Sequence, residues 1–322
     1  MNKGEVQLTV LIPFYNTAIE LWKDAVRSME NQICKDFNVL VVDDGSTLVN
    51  PETVLSESQL NWSLIRLDRN FGIETALNKG INSLTTDWFS RFDSDDVMLP
   101  NRIQIELDAI RKNPHAAVIA SGARTNDGNI LPASSDFEFE IQFGCPFIHA
   151  ATAFNKKKIF YPLYEARVEA AEDWLMWKKI IDSGLEIVTI PVPVIHYRVH
   201  SNNSSIGPND IDKQSRYCRV AHDILGVHPD DTDRFLKATG KFEISSTRSF
   251  LQTIAYVGKV TAQISANSID KRMFAAAKRR RVASLICKFG NHRPWQALVL
   301  SLVYRSPSSF RYVLATTLKS KR

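Results

Sequence analysis

The first 120 residues alternate between short apolar runs and segments with helical spacing, and this alternation constrains the fold more than any other feature of the chain. Five runs rich in β-branched residues predict buried strands at 6–12, 37–42, 62–67, 87–92 and 116–121. The segments between them predict helices at 18–33, from Pro51, at 73–83 and at 100–112. Strands that alternate with helices pair in parallel, and the helices cover both faces of the sheet. The sequence therefore predicts an α/β fold with a mostly parallel sheet.

The pattern changes after residue 122. A long irregular stretch leads to a predicted helix at 172–183 and to two short predicted strands near 186–190 and 194–199. A polar linker follows, and the remaining chain has helical spacing. We therefore expect a first domain at 1–205, with halves at about 1–122 and 123–205, and a helical C-terminal region at 206–322.

Basic residues are concentrated at the C-terminal end of the chain. Between Lys271 and Arg322 there are 13 basic residues and no acidic ones, whereas residues 1–270 hold 27 basic and 35 acidic residues, a net charge of −8. Nucleic-acid-binding proteins normally spread basic residues over the main fold, so we expect no nucleic-acid partner. Two roles for the basic segment 271–322 stay open: peripheral contact with an anionic membrane, or a helical layer packed on the protein.

The cysteine spacing and the N-terminus bear on location. The four cysteines are far apart and form no C-x-x-C pair, which favours a reduced compartment over a disulfide framework or a zinc site. The N-terminus lacks a signal-peptide pattern, and no apolar run reaches the roughly 20 residues of a membrane-spanning helix. We expect a cytoplasmic protein, with the inner face of the cell membrane as a more specific location.

Polar clusters follow the predicted strands at their carboxyl ends, where ligands bind in open α/β sheets. The most acidic cluster is Asp93, Asp95 and Asp96, three carboxylates within four residues. They repel one another unless a cation lies among them, and their hard oxygen atoms suit Mg²⁺ or Mn²⁺. The alternative is a solvated acidic turn.

Two later segments also contain chemically active side chains. Glu172 and Asp173 lie in the first turn of a predicted helix. There they either interact favourably with the helix dipole or supply a general base. Strand alternation places His196, Arg198 and His200 on one face, where imidazole groups can bind a metal and a guanidinium group can bind phosphate. Structural roles for these residues remain open.

Taken in order, six segments resemble the family-2 glycosyltransferases with the GT-A fold. They are VLIPFYN, VVDDGST, NFGIETALNKGI, RFDSDDVMLPNR, AEDWLMWKKI and YRVHSNNSS, and they cover about residues 5–205. The resemblance implies a Rossmann-like, mostly parallel sheet with helices on both faces, followed by the helical C-terminal region.

The resemblance also implies three groups of site residues. The group for the nucleotide of the donor is Pro13, Tyr15, Asn16, Asp43, Asp44, Asn70, Asn78 and Asp93, with Asp44 holding the base. The group for a divalent cation, Mn²⁺ or Mg²⁺, is Asp93, Asp95 and His200, with Asp96 in or beside that shell. The catalytic base is Asp173.

The implied activity is inverting, metal-dependent transfer of one sugar from a nucleotide-diphosphate sugar, with a UDP-sugar expected. The acceptor would be a hydroxyl of a glycan or a lipid-linked glycan in bacterial-type surface polysaccharide or lipopolysaccharide synthesis. The Q-x-x-R-W motif of processive synthases is absent, which favours transfer of a single sugar. Many members read Ala-Arg-Asn where this chain reads Ala76-Leu77-Asn78, so a phosphate-facing arginine is not expected there, and Lys79 and Arg198 are candidates to substitute for it.

Other classes lack their motifs in this chain. There is no G-x-G-x-x-G after the first predicted strand, no P-loop, and no Gly-rich, Arg-containing first loop of a nucleotidyltransferase. A non-catalytic protein that binds nucleotide sugars or scaffolds a membrane assembly stays open as the alternative.

Overall fold

The computed structural model describes residues 8–165, 171–198, 215, 217–266, 271–290, 297 and 300. The strands are β1 Leu8–Phe14, β2 Asn38–Asp43, β3 Trp62–Arg66, β4 Trp88–Arg91, β5 Val97–Met98, β6 Val118–Thr125, β7 Ile130–Leu131, β8 Thr152–Asn155 and β9 Ile187–Tyr197. The α-helices are α1 Ile19–Glu30, α2 Glu52–Leu55, α3 Ile73–Ser83, α4 Arg102–Lys112, α5 Phe137–Glu140, α6 Glu172–Asp182, α7 Thr232–Ala238, α8 Thr247–Ala266 and α9 Lys271–Gly290.

The strands form a nine-stranded sheet in the order β3-β2-β1-β4-β8-β6-β9-β5, with β7 paired to β6. The pairs β1–β2, β2–β3 and β1–β4 are parallel. Strand β8 is antiparallel to both β4 and β6, so β6 runs in the same direction as β4. All five strands predicted in the first 121 residues therefore end at one edge of the sheet, and the prediction of a mostly parallel α/β fold is confirmed.

Strand β9 differs from the expectation of two short strands. Residues 187–197 form one strand that pairs in parallel with β6, although it contains Pro191 and Pro193. The pairing register shifts on both sides of Gly122, opposite this proline segment. A bulge accommodates prolines that cannot donate ladder hydrogen bonds, so the strand continues through them.

The central strands are apolar because both faces of the sheet are covered. In β1, Leu8, Val10 and Leu11 have no exposed surface. On one face Trp22 of α1 packs edge-on against Phe14, with ring centroids 5.3 Å apart. The packed core fixes the strands in position, and with them the polar loops that follow their carboxyl ends.

By internal contacts the chain forms two compact units, residues 1–135 with 145–208, and residues 136–144 with 209–322. In the second unit, segment 136–144 is held by basic residues of α9. Asp136 forms an ion pair with Arg280, and Arg281 contacts Glu140 at 3.4 Å and the ring of Phe143 at 5.0 Å. Part of the basic segment therefore has a structural function inside this unit.

Helix α9 also contributes to the core of the second unit. Its Phe274, Leu285 and Phe289 are buried, and Phe289 stacks on Phe250 of α8 at 5.1 Å. This agrees with the packing interpretation for residues 271–290, whereas most of the apolar segment that follows lies outside the described residues. No helix in the described ranges combines the length and apolar character needed to cross a membrane.

Candidate active site

Asp43 ends β2 and is almost fully buried. Its Oδ1 accepts a hydrogen bond from the backbone N–H of Ser46 at 2.9 Å, and its Oδ2 accepts one from Nε of Arg66 at 3.0 Å. These contacts fix the turn after β2. The role predicted for Asp43, support of the neighbouring Asp44, is compatible with this geometry.

Asp44 joins two loops at the carboxyl edge of the sheet. Its two oxygens accept hydrogen bonds from the backbone N–H groups of Phe71 at 2.8 Å and Gly72 at 2.9 Å. Gly45, at φ 70°, permits this close approach, because a Cβ there would lie 2.3 Å from the backbone of Arg69. Asn70 is exposed beside this junction, and its side chain caps Gly72 at 3.0 Å.

Asn16 holds the loop after β2 from the other side. It adopts φ 48°, and its Oδ1 accepts hydrogen bonds from the backbone N–H groups of Thr47 and Leu48 at 3.0 and 2.8 Å. Tyr15 beside it is 49% exposed, and Pro13 is half-buried. The structure thus brings Pro13, Tyr15, Asn16, Asp43 and Asp44 together at one edge, as predicted from the strand order.

The side-chain amide of Asn78 forms three hydrogen bonds to the backbone of another segment. Its Nδ2 donates to the carbonyl of Tyr164 at 2.8 Å, and its Oδ1 accepts from the backbone N–H groups of Leu163 and Tyr164 at 3.1 and 3.2 Å. The amide therefore anchors the segment that carries Tyr164. Direct contact of Asn78 with a nucleotide stays a prediction.

The acidic turn after β4 brings oxygen atoms of Asp93, Asp95 and Asp96 within 4.8 Å of one another. Burial raises the pKa of Asp93, and the charge of Asp95 adds to this effect. Burial also holds the pKa of Asp96 well above its usual value, and one of its oxygens has no hydrogen-bond partner. A set of crowded, desolvated carboxylates with an unused oxygen fits a hard divalent cation such as Mn²⁺ or Mg²⁺.

Arg198, one suggested substitute for the missing arginine of the third motif, holds the acidic turn in place. Its backbone N–H donates to Oδ1 of Asp96 at 2.8 Å. Its guanidinium group binds Asp24 at 3.0 Å and the carbonyl of Leu21 at 2.9 Å. Lys79, the other suggested substitute, is exposed on α3. His200, the third predicted metal ligand, lies outside the described residues.

Glu172 and Asp173 open α6 in the same unit. Oδ1 of Asp173 accepts from the backbone N–H of Trp174 at 2.8 Å, and its Oδ2 accepts from the thiol of Cys145 at 3.5 Å. Burial raises the pKa of Asp173. Burial, together with the charge of Asp173, raises the pKa of Glu172 to about 7. A carboxylate with a raised pKa is suited to accept a proton near neutral pH.

Three residues that the motif search did not select are buried close to these acids. Arg91, at the end of β4, forms an ion pair with Asp93. Nε2 of His149 lies 2.6 Å from the hydroxyl of Tyr164. Burial, aided by the charge of Arg91, holds the pKa of His149 well below its usual value, so its ring is neutral. For Arg91, the signal in the sequence was an arginine at the end of the short, buried strand β4.

Comparison with known proteins identifies the family. Residues 9–184 match the family model described as glycosyl transferase family 2. The amylovoran biosynthesis glycosyltransferase AmsE of Erwinia amylovora is 25% identical over 226 residues, which are 66% of this chain and 84% of that protein. The UDP-Gal:alpha-D-GlcNAc-diphosphoundecaprenol beta-1,3-galactosyltransferase of Escherichia coli is 25% identical over 195 residues, which are 57% of this chain and 71% of that protein.

The fold also has a close counterpart among solved structures. The mannosyltransferase PcManGT of Pyrobaculum calidifontis, solved with GDP-Man and Mn²⁺, superposes with a TM-score of 0.56 at 17% sequence identity. The superposition covers 97% of this chain and 86% of that one, and it supports the mixed, mostly parallel GT-A sheet. The family model spans more than half of the chain and includes Asp43, Asp44, the acidic turn and Asp173. The chain therefore belongs to glycosyltransferase family 2, and it is a glycosyltransferase of the GT-A fold.

Proposed function

We propose that this enzyme moves one sugar, with inversion, from a nucleotide-diphosphate sugar to a hydroxyl group of a glycan or lipid-linked glycan acceptor. The observation that carries the proposal is the pairing of two acidic sites in one unit. The crowded acidic turn Asp93–Asp96 suits a cation and the donor diphosphate, and the desolvated pair Glu172–Asp173 suits proton removal.

The proposed chemistry assigns a role to each part of the site. Asp44 and the loops that it joins hold the nucleotide, and Pro13, Tyr15 and Asn16 line the same edge. Asp173 accepts the proton of the acceptor hydroxyl while the oxygen attacks the anomeric carbon and the bond to the diphosphate breaks. Asp93 and Asp95, with Asp96 beside them, would hold a divalent cation, and that cation would supply positive charge to the leaving diphosphate. His200 remains a proposed third ligand.

Relatives guide the proposal for the substrates. The Escherichia coli relative is named for transfer from UDP-Gal to a diphosphoundecaprenol-linked sugar, and AmsE is named for amylovoran biosynthesis. PcManGT was solved with GDP-Man and Mn²⁺. We therefore propose a UDP-sugar donor and an acceptor of surface polysaccharide or lipopolysaccharide assembly. The absence of Q-x-x-R-W supports single-sugar transfer.

A lipid-linked acceptor gives the basic segment 271–322 a proposed second function, peripheral contact with the anionic inner face of the cell membrane. We expect the full chain to float with vesicles that contain anionic lipid and not with neutral vesicles, and high salt should weaken the binding. Equal recovery with both kinds of vesicle would remove the membrane proposal without touching the proposed transfer.

Removal of one carboxylate from the acidic turn should make nucleotide binding insensitive to the cation. In the wild-type enzyme we expect UDP to bind more tightly with Mn²⁺ than with a chelator, because a cation held by the acidic turn would offset the charge of the diphosphate. Asp95→Ala should lose most of this difference and keep the weak binding seen with chelator. Calorimetry with UDP, with GDP and with Mn²⁺ measures each part.

The matched control is Asp108→Ala, a half-buried aspartate on α4 that contacts Arg111 and Gln104 of the same helix. Its Mn²⁺ dependence should equal that of the wild type. An unchanged response in Asp95→Ala would argue against the cation site. Release of nucleotide diphosphate only when an acceptor is present would separate the transferase from a non-catalytic nucleotide-sugar-binding protein.

A further inference from the structure

Arg91 is a buried charge between the two acidic sites. It is the last residue of β4 and only 4% exposed. Strand alternation places its side chain on the same sheet face as Phe89. The ring of Phe89 stacks on Phe154 at 5.1 Å, and Phe154 stacks on Trp177 of α6 at 5.5 Å. Arg91 therefore faces the side of the sheet on which α6 carries Glu172 and Asp173.

The guanidinium group of Arg91 is only partly used by its neighbours. Its Nη1 forms an ion pair with Asp93, and its buried Nε has no hydrogen-bond partner. Burial of a cation with unused donors is costly unless its charge is compensated. Its positive charge acts on Asp93, and also on Glu172 and Asp173.

The backbone of Arg91 is also held in place by a hydrogen bond. Its carbonyl accepts a hydrogen bond at 2.7 Å from Nη2 of Arg102, which is itself fully buried. The end of β4 therefore cannot shift without breaking the network below it, and the charge stays in place. A fixed charge stabilises an ionised group without the cost of reorganisation.

We propose that Arg91 is a positioning residue whose permanent positive charge keeps the carboxylate of Asp173 ionised. The proposal rests on the proposed function only for the use of Asp173 as the base. Without a compensating cation, a desolvated carboxyl group beside a second acid holds its proton, and a protonated carboxyl group cannot accept the proton of a sugar hydroxyl.

Within the described residues, Arg91 acts on the carboxylate of Asp173 together with several other groups. Glu172, whose pKa is raised to about 7, is neutral at lower pH and negative above it. Burial raises the pKa of Tyr164, so its phenol is neutral. The thiol of Cys145 and the backbone N–H of Trp174 each donate a hydrogen bond to the carboxylate of Asp173, and neither group carries a charge. Glu74, which acts on Glu172, adds another negative charge. Of these neighbours, only Arg91 supplies positive charge.

The test uses the thiol of Cys145 as a reporter and needs no substrate. Thiolate is the reactive form, and an ionised Asp173 opposes its formation. Modification of Cys145 by iodoacetamide is followed on its peptide by mass spectrometry between pH 4 and 9. The rate should rise with pH, and this rise should become less steep over the pH range in which Asp173 ionises. Arg91→Met should move this flattening to higher pH by about one unit or more, since an opposite charge nearby shifts a carboxyl pKa by about 1–3 units.

Two further variants give the test direction. Arg91→Lys keeps the charge, so its profile should stay near that of the wild type. Asp93→Asn removes the carboxylate that competes for Arg91, so the flattening should move to lower pH. Arg66→Met removes an aspartate-paired arginine at the end of β3 and should leave the Cys145 profile unchanged. This set remains informative even if Arg91→Met fails to fold.

Superimposable Cys145 profiles for the wild type, Arg91→Met and Asp93→Asn would overturn the proposal. Where transfer is detected, the pKa of the acid limb of its pH–rate profile should also be higher in Arg91→Met than in the wild type. In Arg91→Lys it should return to the wild-type value. A wild-type enzyme that transfers no sugar would count against the proposed function, while the Cys145 profiles would still decide the role of Arg91.

Discussion

Asp173→Asn is expected to lower the rate of sugar transfer by about 10²–10⁴-fold, the usual contribution of a general base. Binding of the nucleotide diphosphate should be nearly unchanged, because Asp173 is not among the carboxylates of the acidic turn. Asparagine has almost the same shape, and its Oδ1 can still accept from the N–H of Trp174. The loss should appear in kcat, with little change in the affinity for UDP measured by calorimetry.

Glu172→Gln is the matched control, since it removes the adjacent carboxylate and leaves Asp173 in place. It should cost far less activity than Asp173→Asn. Near wild-type turnover in Asp173→Asn would contradict the assignment of the base, and a larger loss in Glu172→Gln would move the assignment to Glu172.

Glu172→Gln also has a signature in stability that does not depend on a substrate. The pKa of Glu172 is about 7 in the folded protein, above its ordinary value, so the folded state holds this proton more tightly than the unfolded state. The resulting stabilisation is complete below the ordinary value and is lost as the pH rises through about 7. The melting temperature of Glu172→Gln minus that of the wild type should therefore be larger at pH 8 than at pH 4.

The parts of the fold that the sequence predicted are those with a strong local signal. The runs VQLTVLI and FNVLVV are apolar on both faces, as central strands covered by helices must be. Strand β8 is only four residues long and lies inside an irregular stretch, so its antiparallel position between β4 and β6 had no local signature. The join of two predicted strands into β9 depends on the bulge opposite Gly122, which is set by the pairing with β6.

The same distinction applies to the candidate site. Asp43, Asp44 and the acidic turn follow predicted strands, so strand order alone placed them at one edge. The partners of Asn78 lie more than 80 residues away in the chain, and no local pattern predicts that its amide anchors Tyr164. The burial of Arg91 between two acidic sites likewise depends on α6, which follows it by about 80 residues.

The buried pair Arg102–Glu106 forms hydrogen bonds to the end of β4, next to the candidate site. Both side chains are fully buried, and Nε of Arg102 lies 3.0 Å from Oε1 of Glu106. Nη2 of Arg102 donates to Oγ of Ser90 and to the carbonyl of Arg91, both at 2.7 Å. The network thus ties α4 to the end of β4, directly before the acidic turn.

Glu106→Leu and Arg102→Leu are each expected to destabilise the first unit by about 3–5 kcal/mol, because each leaves one charge buried without its counter-ion. The double variant should recover most of this loss, since a packed apolar pair avoids the desolvation of both ions. Urea unfolding followed by tryptophan fluorescence measures the effect, and Trp22 and Trp88 report on this unit. Additive losses in the double variant would contradict the idea that the uncompensated charge is the cost.

Recovered stability should not restore function in the double variant. Leucine at position 102 cannot donate a hydrogen bond to the carbonyl of Arg91. The end of β4, which leads into the acidic turn, therefore loses this hydrogen bond although the core is again well packed. We therefore expect weaker Mn²⁺-dependent binding of UDP in the double variant than in the wild type at equal stability. Wild-type cation dependence in a stable double variant would show that packing alone positions the turn. A loss of this binding would assign to the buried ion pair a role in placing Asp93 and Asp95, which a hydrophobic pair of similar volume does not fill.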